Sequence, residues 1–498
     1  MLTTAGAVAW TARTTGVMRG LESGTGAAAG AVAVQSRARQ ARVPAARRRP
    51  RNRENDGCMV NSVIVADGKR TGRPKRQGSG PPWTDSGDGV PLSGRATPDA
   101  VFPAGSAFSN TGRHAGKDGP RLRRAGQDVT QKNMKQVPVY REAVEVPALP
   151  GLFIRPLESS LLEKAQAHLD NLTKPRGSLG RLEELGRRLY AMAGGVTPLN
   201  VTPALMLTVA GDHGVTAQGV SPMPQAVTRQ MTRNFLNGGA GVNVLCRSSG
   251  MDLRVVDAGC AGGPYEPHEL LIDRRLGDGT ADISKGPAMS RETCLQGLRH
   301  GVALVEEFAD KGYRCFGTGE MGIGNSTPAT AINCALFGFD PDEATGPGAG
   351  SDPERVRHKA AIVRRALEVN AAALKGDGVD ILAALGGFEL AIMAGIMLGA
   401  ASRSLPILVD GFICSAAYAA AVRICPLVAQ YAILSHASAE PGHVPALGAL
   451  DGGRPLLHLD MRLGEGTGGA VAYHLLRCAV NIFNEMATFA EAQVDEGL

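Results

Sequence analysis

The sequence predicts an α/β protein, a mostly parallel, Rossmann-like sheet flanked by helices, together with a small helical domain. Three observations carry this. Short apolar runs alternate with longer segments of helical periodicity from about residue 203 onward, the pattern of strands joined by crossover helices. Glycines and polar residues gather just after the apolar runs, as in Asp212-His213, Asp257, Gly319-Glu320, Gly386-Gly387, Asp410-Gly411 and Ser435-His436. Ligands of open parallel sheets bind at such strand ends. Finally, Leu161, Leu162, Ala165 and Leu169, and then Leu179, Leu182, Leu185 and Leu189, recur at helical spacing.

In chain order, the paired helices at 157–195 flank the turn Lys174-Pro175-Arg176-Gly177-Ser178, with Ser178 a candidate N-cap. Strands are expected at 205–210, 253–256, 314–316, 381–385, 405–409, 432–434 and 456–459. Helices are expected at 226–235, 291–310, 354–374, 389–401 and about 469–491. Gly395 and Gly399 lie one helical turn apart, a spacing that suits close helix packing.

Residues 1–133 differ from the rest. They are rich in Ala, Gly, Arg and Ser, with an arginine cluster between Arg37 and Arg53 and no sustained apolar periodicity. Such a segment buries too little surface to fold. It reads as an organelle transit peptide, a nucleic-acid-binding tail, or non-native sequence upstream of a start at Met134. The expected division is therefore 1–133 as an extension, 134–200 as a helical segment, 201–468 as the α/β domain and 469–498 as a closing helix.

Composition narrows the function classes. The net charge of +6 over 498 residues is small, and aromatics make up 4%, which disfavours nucleic-acid stacking surfaces. The 9 cysteines are dispersed without a CxxC pair, arguing for a reducing compartment and against structural zinc. The longest apolar run, 390–401, is too short to span a bilayer. A cytoplasmic protein with no membrane, nucleic-acid, metal or cofactor partner is expected.

The stretch Gly317-Thr318-Gly319-Glu320-Met321-Gly322-Ile323-Gly324-Asn325-Ser326-Thr327-Pro328 reads as strand, glycine loop, helix, with Thr327 as N-cap and Pro328 in the first turn. Backbone N–H groups at such a helix start favour an anion. Gly317-x-Gly319-x-x-Gly322 also fits a dinucleotide fingerprint, but a lone match is weak. The helix is delayed, and the nearest later acid, Asp340, follows an expected helix and turn instead of ending a strand. A phosphate or ribose-phosphate site, with Glu320 beside it, suits the loop better. A second glycine loop, 346–352, precedes the helix bearing Lys359, and backbone N–H groups plus one lysine make a phosphate cradle. No GxxxxGK[ST] occurs, which disfavours P-loop hydrolysis.

Glu465 sits between Gly464 and Gly466 at the start of the last long helix, with Leu463 as an apolar neighbour. A carboxylate partly desolvated there has a raised pKa and can take a proton near neutral pH. Capping the following helix is the plainer reading of its position. His213, His436 and His443 show no paired metal spacing and read as hydrogen-bonded structural residues.

Several of these stretches carry a resemblance. KPRGSLGRLE at 174–183, GDHGV at 211–215, GEMGIGNSTP at 319–328, LGGFE at 385–389, VDGF at 409–412, SHASAE at 435–440 and RLGEGTG at 462–468 occur in the order found in nicotinate-nucleotide–dimethylbenzimidazole phosphoribosyltransferases. The chain resembles that family from about residue 134 to 494. The resemblance implies transfer of 5-phosphoribose from nicotinate mononucleotide to 5,6-dimethylbenzimidazole, giving α-ribazole 5′-phosphate and nicotinate with inversion. It implies Glu465 as general base and Glu320 as a second active-site glutamate. It puts Gly322, Gly324, Asn325, Ser326, Gly348, Gly350, Lys359 and Asp410 around the phosphoribose. It puts Met223, Met231 and Leu463 around the base, with Gln230 able to substitute for a polar residue that some members carry. It also implies a homodimer whose small helical domain is built from both ends of the catalytic region. A nicotinamide-dependent oxidoreductase and a non-catalytic nucleotide- or azole-binding homologue are the alternatives. Retention of both glutamates speaks against the second of these.

Overall fold

The computed structural model describes residues 142–450 and 453–495; the readings of residues 1–133 and of Met134 lie outside them. Strands β1 (Val144–Glu145) and β2 (Phe153–Ile154) form an antiparallel pair. Helices α1 (Ser159–Asp170) and α2 (Arg181–Met192) follow. The turn between them is pinned by a buried ion pair, Lys174 Nζ to Glu183 Oε1 at 2.9 Å, and by the Leu179 N–H donating to the same oxygen. Gly180, not Ser178, precedes α2, because Gly180 adopts φ +51° there.

The main sheet then begins. The chain runs through β3 (Ala204–Gly211), α3 (Ala226–Leu236), α4 (Gly241–Ser249), β4 (Asp252–Gly259), β5 (Leu271–Asp273), α5 (Arg291–Asp310) and β6 (Cys315–Met321). It continues through α6 (Ser326–Phe337), α7 (Pro341–Ala344), α8 (Pro353–Val369), α9 (Gly378–Leu385), α10 (Phe388–Ser402), β7 (Ile407–Val409), α11 (Phe412–Ile424) and β8 (Ala432–Leu434). Helices α12 (His443–Ala449), α13 (Thr467–Glu485) and α14 (Phe489–Ala492) complete the chain.

Six strands pair in parallel in the order β5-β4-β3-β6-β7-β8. Numbered along the chain, that is the 3-2-1-4-5-6 order of doubly wound sheets, whose strand order reverses between the two central strands. The reversal falls between β3 and β6. Glu320 is the next-to-last residue of β6 and lies opposite Val209, so this carboxylate stands at the reversal point.

Helix α10 is apolar on every side and buried along nearly all its length, as expected of a helix lying between a sheet and a further helix layer. Its outer neighbour is α5. The two backbones approach closely: a Cβ at Gly301 would lie 2.5 Å from the Ile396 nitrogen, and one at Gly395 would lie 2.8 Å from Leu298 Cα. Each fully buried Leu, Ile or Met of α10 contributes about 1.5–3 kcal/mol relative to exposure. On the other face α13 contacts β6, β7, α4 and α2. The Tyr190 and Phe483 rings stack at 5.4 Å, and His168 Nε2 hydrogen-bonds the Phe483 carbonyl at 2.8 Å, so the two ends of the described chain pack together.

Three expectations about strands are corrected. Residues 381–385 form the end of α9, not a strand; Asp377 caps that helix by accepting the N–H groups of Val379 and Asp380. Residues 456–459 make a single bridge, His436 to Leu457, and no strand. The strand predicted at 314–316 continues to Met321, so Gly317 and Gly319 belong to β6 rather than to a loop. Among the described residues no helix is long and apolar enough to cross a membrane.

Candidate active site

Beyond the carboxyl ends of β6, β7 and β8 lies a cavity of about 270 Å³. Three loops build it: the β6–α6 turn, the glycine loop before α8, and the strap leading into α13. The β6–α6 turn is short. Gly322, at its start, faces the Gly211 carbonyl and the His213 ring closely enough that a Cβ would lie 3.2 Å from His213 Nε2. Gly324 takes φ +89°, and α6 then opens with Asn325 as the preceding residue, so Thr327 lies inside the helix and is not its cap. Asn325 donates from Nδ2 to Glu320 Oε2.

Glu320 is buried, and desolvation pushes its pKa up to about 8, aided by the nearby Asp410 and Glu389 carboxylates and opposed by the Asn325 hydrogen bond. At pH 7 the free protein therefore holds it mostly as the neutral acid.

Lys359 projects from α8 and is almost fully buried. Its Nζ donates to Ser326 Oγ at 2.9 Å and to the Gly346 carbonyl at 3.0 Å. Burial lowers its pKa to about 8, and the Glu440 carboxylate opposes that shift. Gly348 (φ +55°) donates its N–H to Glu440 Oε1 at 3.0 Å. Asp352 caps α8 by accepting the Arg355 N–H, and Pro353 takes the first helical position. This arrangement aims Lys359 at the first turn of α6, where backbone N–H groups and a positive dipole end favour an anion.

The strap carries Glu465. Glu465 itself adopts φ +66°, which costs a non-glycine residue about 1–2 kcal/mol. Its flanking glycines take φ +84° and +102°. The conformation is held from three sides. Thr208 Oγ1 donates to the Glu465 carbonyl at 2.8 Å. Asp410 accepts the N–H groups of Gly466 at 3.2 Å and Gly469 at 3.0 Å. Glu465 Oε2 accepts the Val242 N–H at 3.0 Å, in the first turn of α4. Burial raises the Glu465 pKa, and the α4 N–H groups oppose that rise by stabilising the anion. The result is a desolvated carboxylate held ready to accept a proton.

Most of the residues singled out in the sequence come together here. Glu320, Glu465, Gly322, Gly324, Asn325, Ser326, Gly348, Lys359, Asp410, Met223, Met231 and Leu463 all line this one cavity. Met223 and Leu463 are exposed at its mouth, 46% and 61% respectively, an unusual state for large apolar side chains that line a site. Two residues fall outside it. Gln230 lies in a separate depression with Arg229, Arg233 and Asp212. Gly350 (φ +103°) shapes the loop without lining the cavity. The carboxylate oxygens of Asp410 are committed to the α13 start rather than to open space.

Lining residues that the sequence did not assign to the site include His436, Ser438, Glu440 and Arg462. The helix start at Gly241, which supports Glu465, went unassigned too; the Gly238-Gly239 pair ahead of Val242 was the available signal. Of the three histidines, His213 bonds Glu389 at 2.8 Å, while His443 bonds Ser415 and the Ser438 N–H. His436 instead lies 3.8 Å from Asp410 with both ring nitrogens lacking hydrogen-bond partners.

A phosphoribosyltransferase family model matches residues 154–494. The nicotinate-nucleotide–dimethylbenzimidazole phosphoribosyltransferase of Nitratidesulfovibrio vulgaris strain DP4 is 61% identical over 344 residues, which is 69% of this chain and 96% of that protein. The protein of the same name from Chlorobaculum tepidum is 47% identical over 341 residues, covering 68% and 96%. The crystal structure of CobT from Thermus thermophilus superposes with a TM-score of 0.63 at 37% identity, covering 68% of this chain and 100% of that one. Fold, cavity and matched length agree: the chain belongs to the nicotinate-nucleotide–dimethylbenzimidazole phosphoribosyltransferase family.

Proposed function

We propose that this protein transfers 5-phosphoribose from nicotinate mononucleotide to a nitrogen of 5,6-dimethylbenzimidazole or a related base, releasing nicotinate and forming α-ribazole 5′-phosphate in cobalamin nucleotide-loop assembly. The observation that carries the reading is Glu465: a desolvated carboxylate in a strained glycine strap, on the wall that also bears Leu463. It takes the N–H proton of the base while the other ring nitrogen attacks the anomeric carbon. The bond to nicotinate breaks with its electron pair going to the ring nitrogen, which loses its positive charge. No metal is needed to drive that departure, and catalysis reduces to positioning two flat rings and a proton acceptor.

The phosphate is assigned to Ser326, the Gly348 loop and Lys359, whose mutual hydrogen bonds support the assignment. The base is assigned to the apolar side with Met223, Met231 and Leu463. Gln230 faces a separate depression, so the wall formed by Met223, Met231 and Leu463 offers no side-chain amide to an exocyclic amine, which favours methylated benzimidazoles over adenine. Glu320 is assigned beside the ribose, where a developing positive charge on the sugar favours its anion. Helices α1 and α2 with the end of the chain form the small domain, and the protein is a cytoplasmic homodimer, as the family resemblance implies.

The test is an assay of purified protein with nicotinate mononucleotide and a panel of bases, following nicotinate release. Base-dependent release, fastest with dimethylbenzimidazole, is expected. Absence of release with every base would refute the reading, and dinucleotide-dependent absorbance at 340 nm would favour an oxidoreductase instead.

A further inference from the structure

Charge around the cavity is unbalanced. Its lining carries four carboxylates, Glu320, Asp410, Glu440 and Glu465, against Lys359 and Arg462 as the two basic side chains of lysine or arginine type. A phosphate arriving here adds further negative charge, so the disposition of the two cations decides whether it binds. Lys359 has already committed two of its three donors, to Ser326 and Gly346. It also lies close to Glu440, whose carboxylate neutralises it in part.

Arg462 is different. Its guanidinium makes one hydrogen bond, from a terminal nitrogen to the Gly348 carbonyl at 3.0 Å. Its remaining donors have no hydrogen-bond partner among the described residues, although its charge, like that of Lys359, acts on Glu440. Gly348 is the same residue whose Cβ position lies 2.8 Å from Ser326 Oγ and 3.3 Å from Lys359 Nζ. The arginine therefore reaches across the cavity mouth to the loop that Lys359 supports. A guanidinium offers five donors in a planar fork matched to phosphate oxygens, and it keeps its charge at any working pH.

We infer that Arg462 is a phosphate-binding residue for the donor, and that by gripping the phosphate it draws the strap bearing Leu463 and Glu465 onto the bound base. Arg462 and Glu465 are three residues apart on that strap, which is anchored behind Arg462 by the Ala439 N–H on the Met461 carbonyl and ahead of it by Asp410 on Gly466. The inference rests on the donor reading above, and it makes donor phosphate a determinant of base affinity.

The experiment compares wild type, Arg462→Gln and Arg462→Lys by calorimetry and steady-state kinetics. Ribose 5-phosphate, which has the phosphate but no carboxylate, serves as one probe; nicotinate, with only the carboxylate, serves as the other. For Arg462→Gln, a loss of tenfold or more in ribose 5-phosphate affinity is expected with nicotinate inhibition unchanged, and partial recovery in Arg462→Lys. In wild type, saturating ribose 5-phosphate tightens dimethylbenzimidazole binding severalfold, and in Arg462→Gln it does not. Unchanged ribose 5-phosphate affinity overturns the inference, whether or not nicotinate inhibition weakens. Loss of ribose 5-phosphate affinity without loss of the coupling overturns its second half. Ribose 5-phosphate binding is read without turnover, so a wild-type protein that releases no nicotinate would refute the proposed reaction and leave the Arg462 result standing.

Discussion

Gly319 has no room for a side chain because the backbone of Glu465 lies directly against it. A Cβ at Gly319 would sit 2.6 Å from the Glu465 carbonyl carbon and 2.8 Å from the Gly466 nitrogen. Strand β6 is therefore bare at the one place where the strap must be seated. Substitution Gly319→Ala is expected to leave the sheet folded and to push Glu465 out by about an ångström. Misplacement on that scale costs on the order of 100-fold in rate. Turnover should fall by that amount with little change in the circular dichroism spectrum; wild-type turnover would show that the strap does not depend on this contact.

Lys359 carries a pH prediction. Its pKa is lowered to about 8 in the free protein, so the ammonium is charged below that pH and neutral above it. The KM for nicotinate mononucleotide should climb as pH rises through about 8, as the charge is lost. Lys359→Ala should show a KM raised tenfold or more at pH 7 and a smaller climb, because Glu320 is then the remaining cavity group that titrates near pH 8. An unchanged KM at pH 7 would remove Lys359 from the phosphate site.

Glu320 carries a stability prediction with a defined sign. Its folded pKa is raised from 4.5 to about 8. The folded state thus binds the proton more tightly than the unfolded chain, and stability falls as pH rises between those values. Gln cannot ionise. Glu320→Gln should therefore melt at a higher temperature than wild type at pH 8, by an amount worth a few kcal/mol at most, with the gap closing toward pH 5. Lost activity alongside that gain is the usual trade at a functional carboxylate. Thermal melts across pH 5 to 8.5 decide it; a gap independent of pH would contradict the burial argument.

The sheet and its helices were legible because each strand is a short apolar run and each crossover a long periodic one. What misled was local. Glycine reads as a breaker, so Gly317 and Gly319 looked like loop, yet Met206 and Glu465 crowd the strand there and leave space for nothing larger. A five-residue apolar run cannot be told from a helix by periodicity, which is why residues 381–385 read as a strand until Asp377 is seen capping α9. In the site, Glu465, Glu320 and Lys359 stood out because unusual residues sat in glycine loops. Glu440 and Arg462 are brought to the site by Gly348, about a hundred residues away in sequence, and no local pattern announces them. Gln230 failed for a related reason: one position along α3 from Met231 turns a side chain to another face.

Glu465 as the proton acceptor is the point on which the proposed chemistry turns. Glu465→Gln preserves shape and still offers an oxygen to the Val242 N–H, but it cannot take a proton. Single-turnover release of nicotinate from nicotinate mononucleotide and dimethylbenzimidazole, measured with donor affinity on the same samples, addresses it most directly. A rate lower by two or more orders of magnitude with donor affinity kept is the predicted result. A near-normal rate would contradict it.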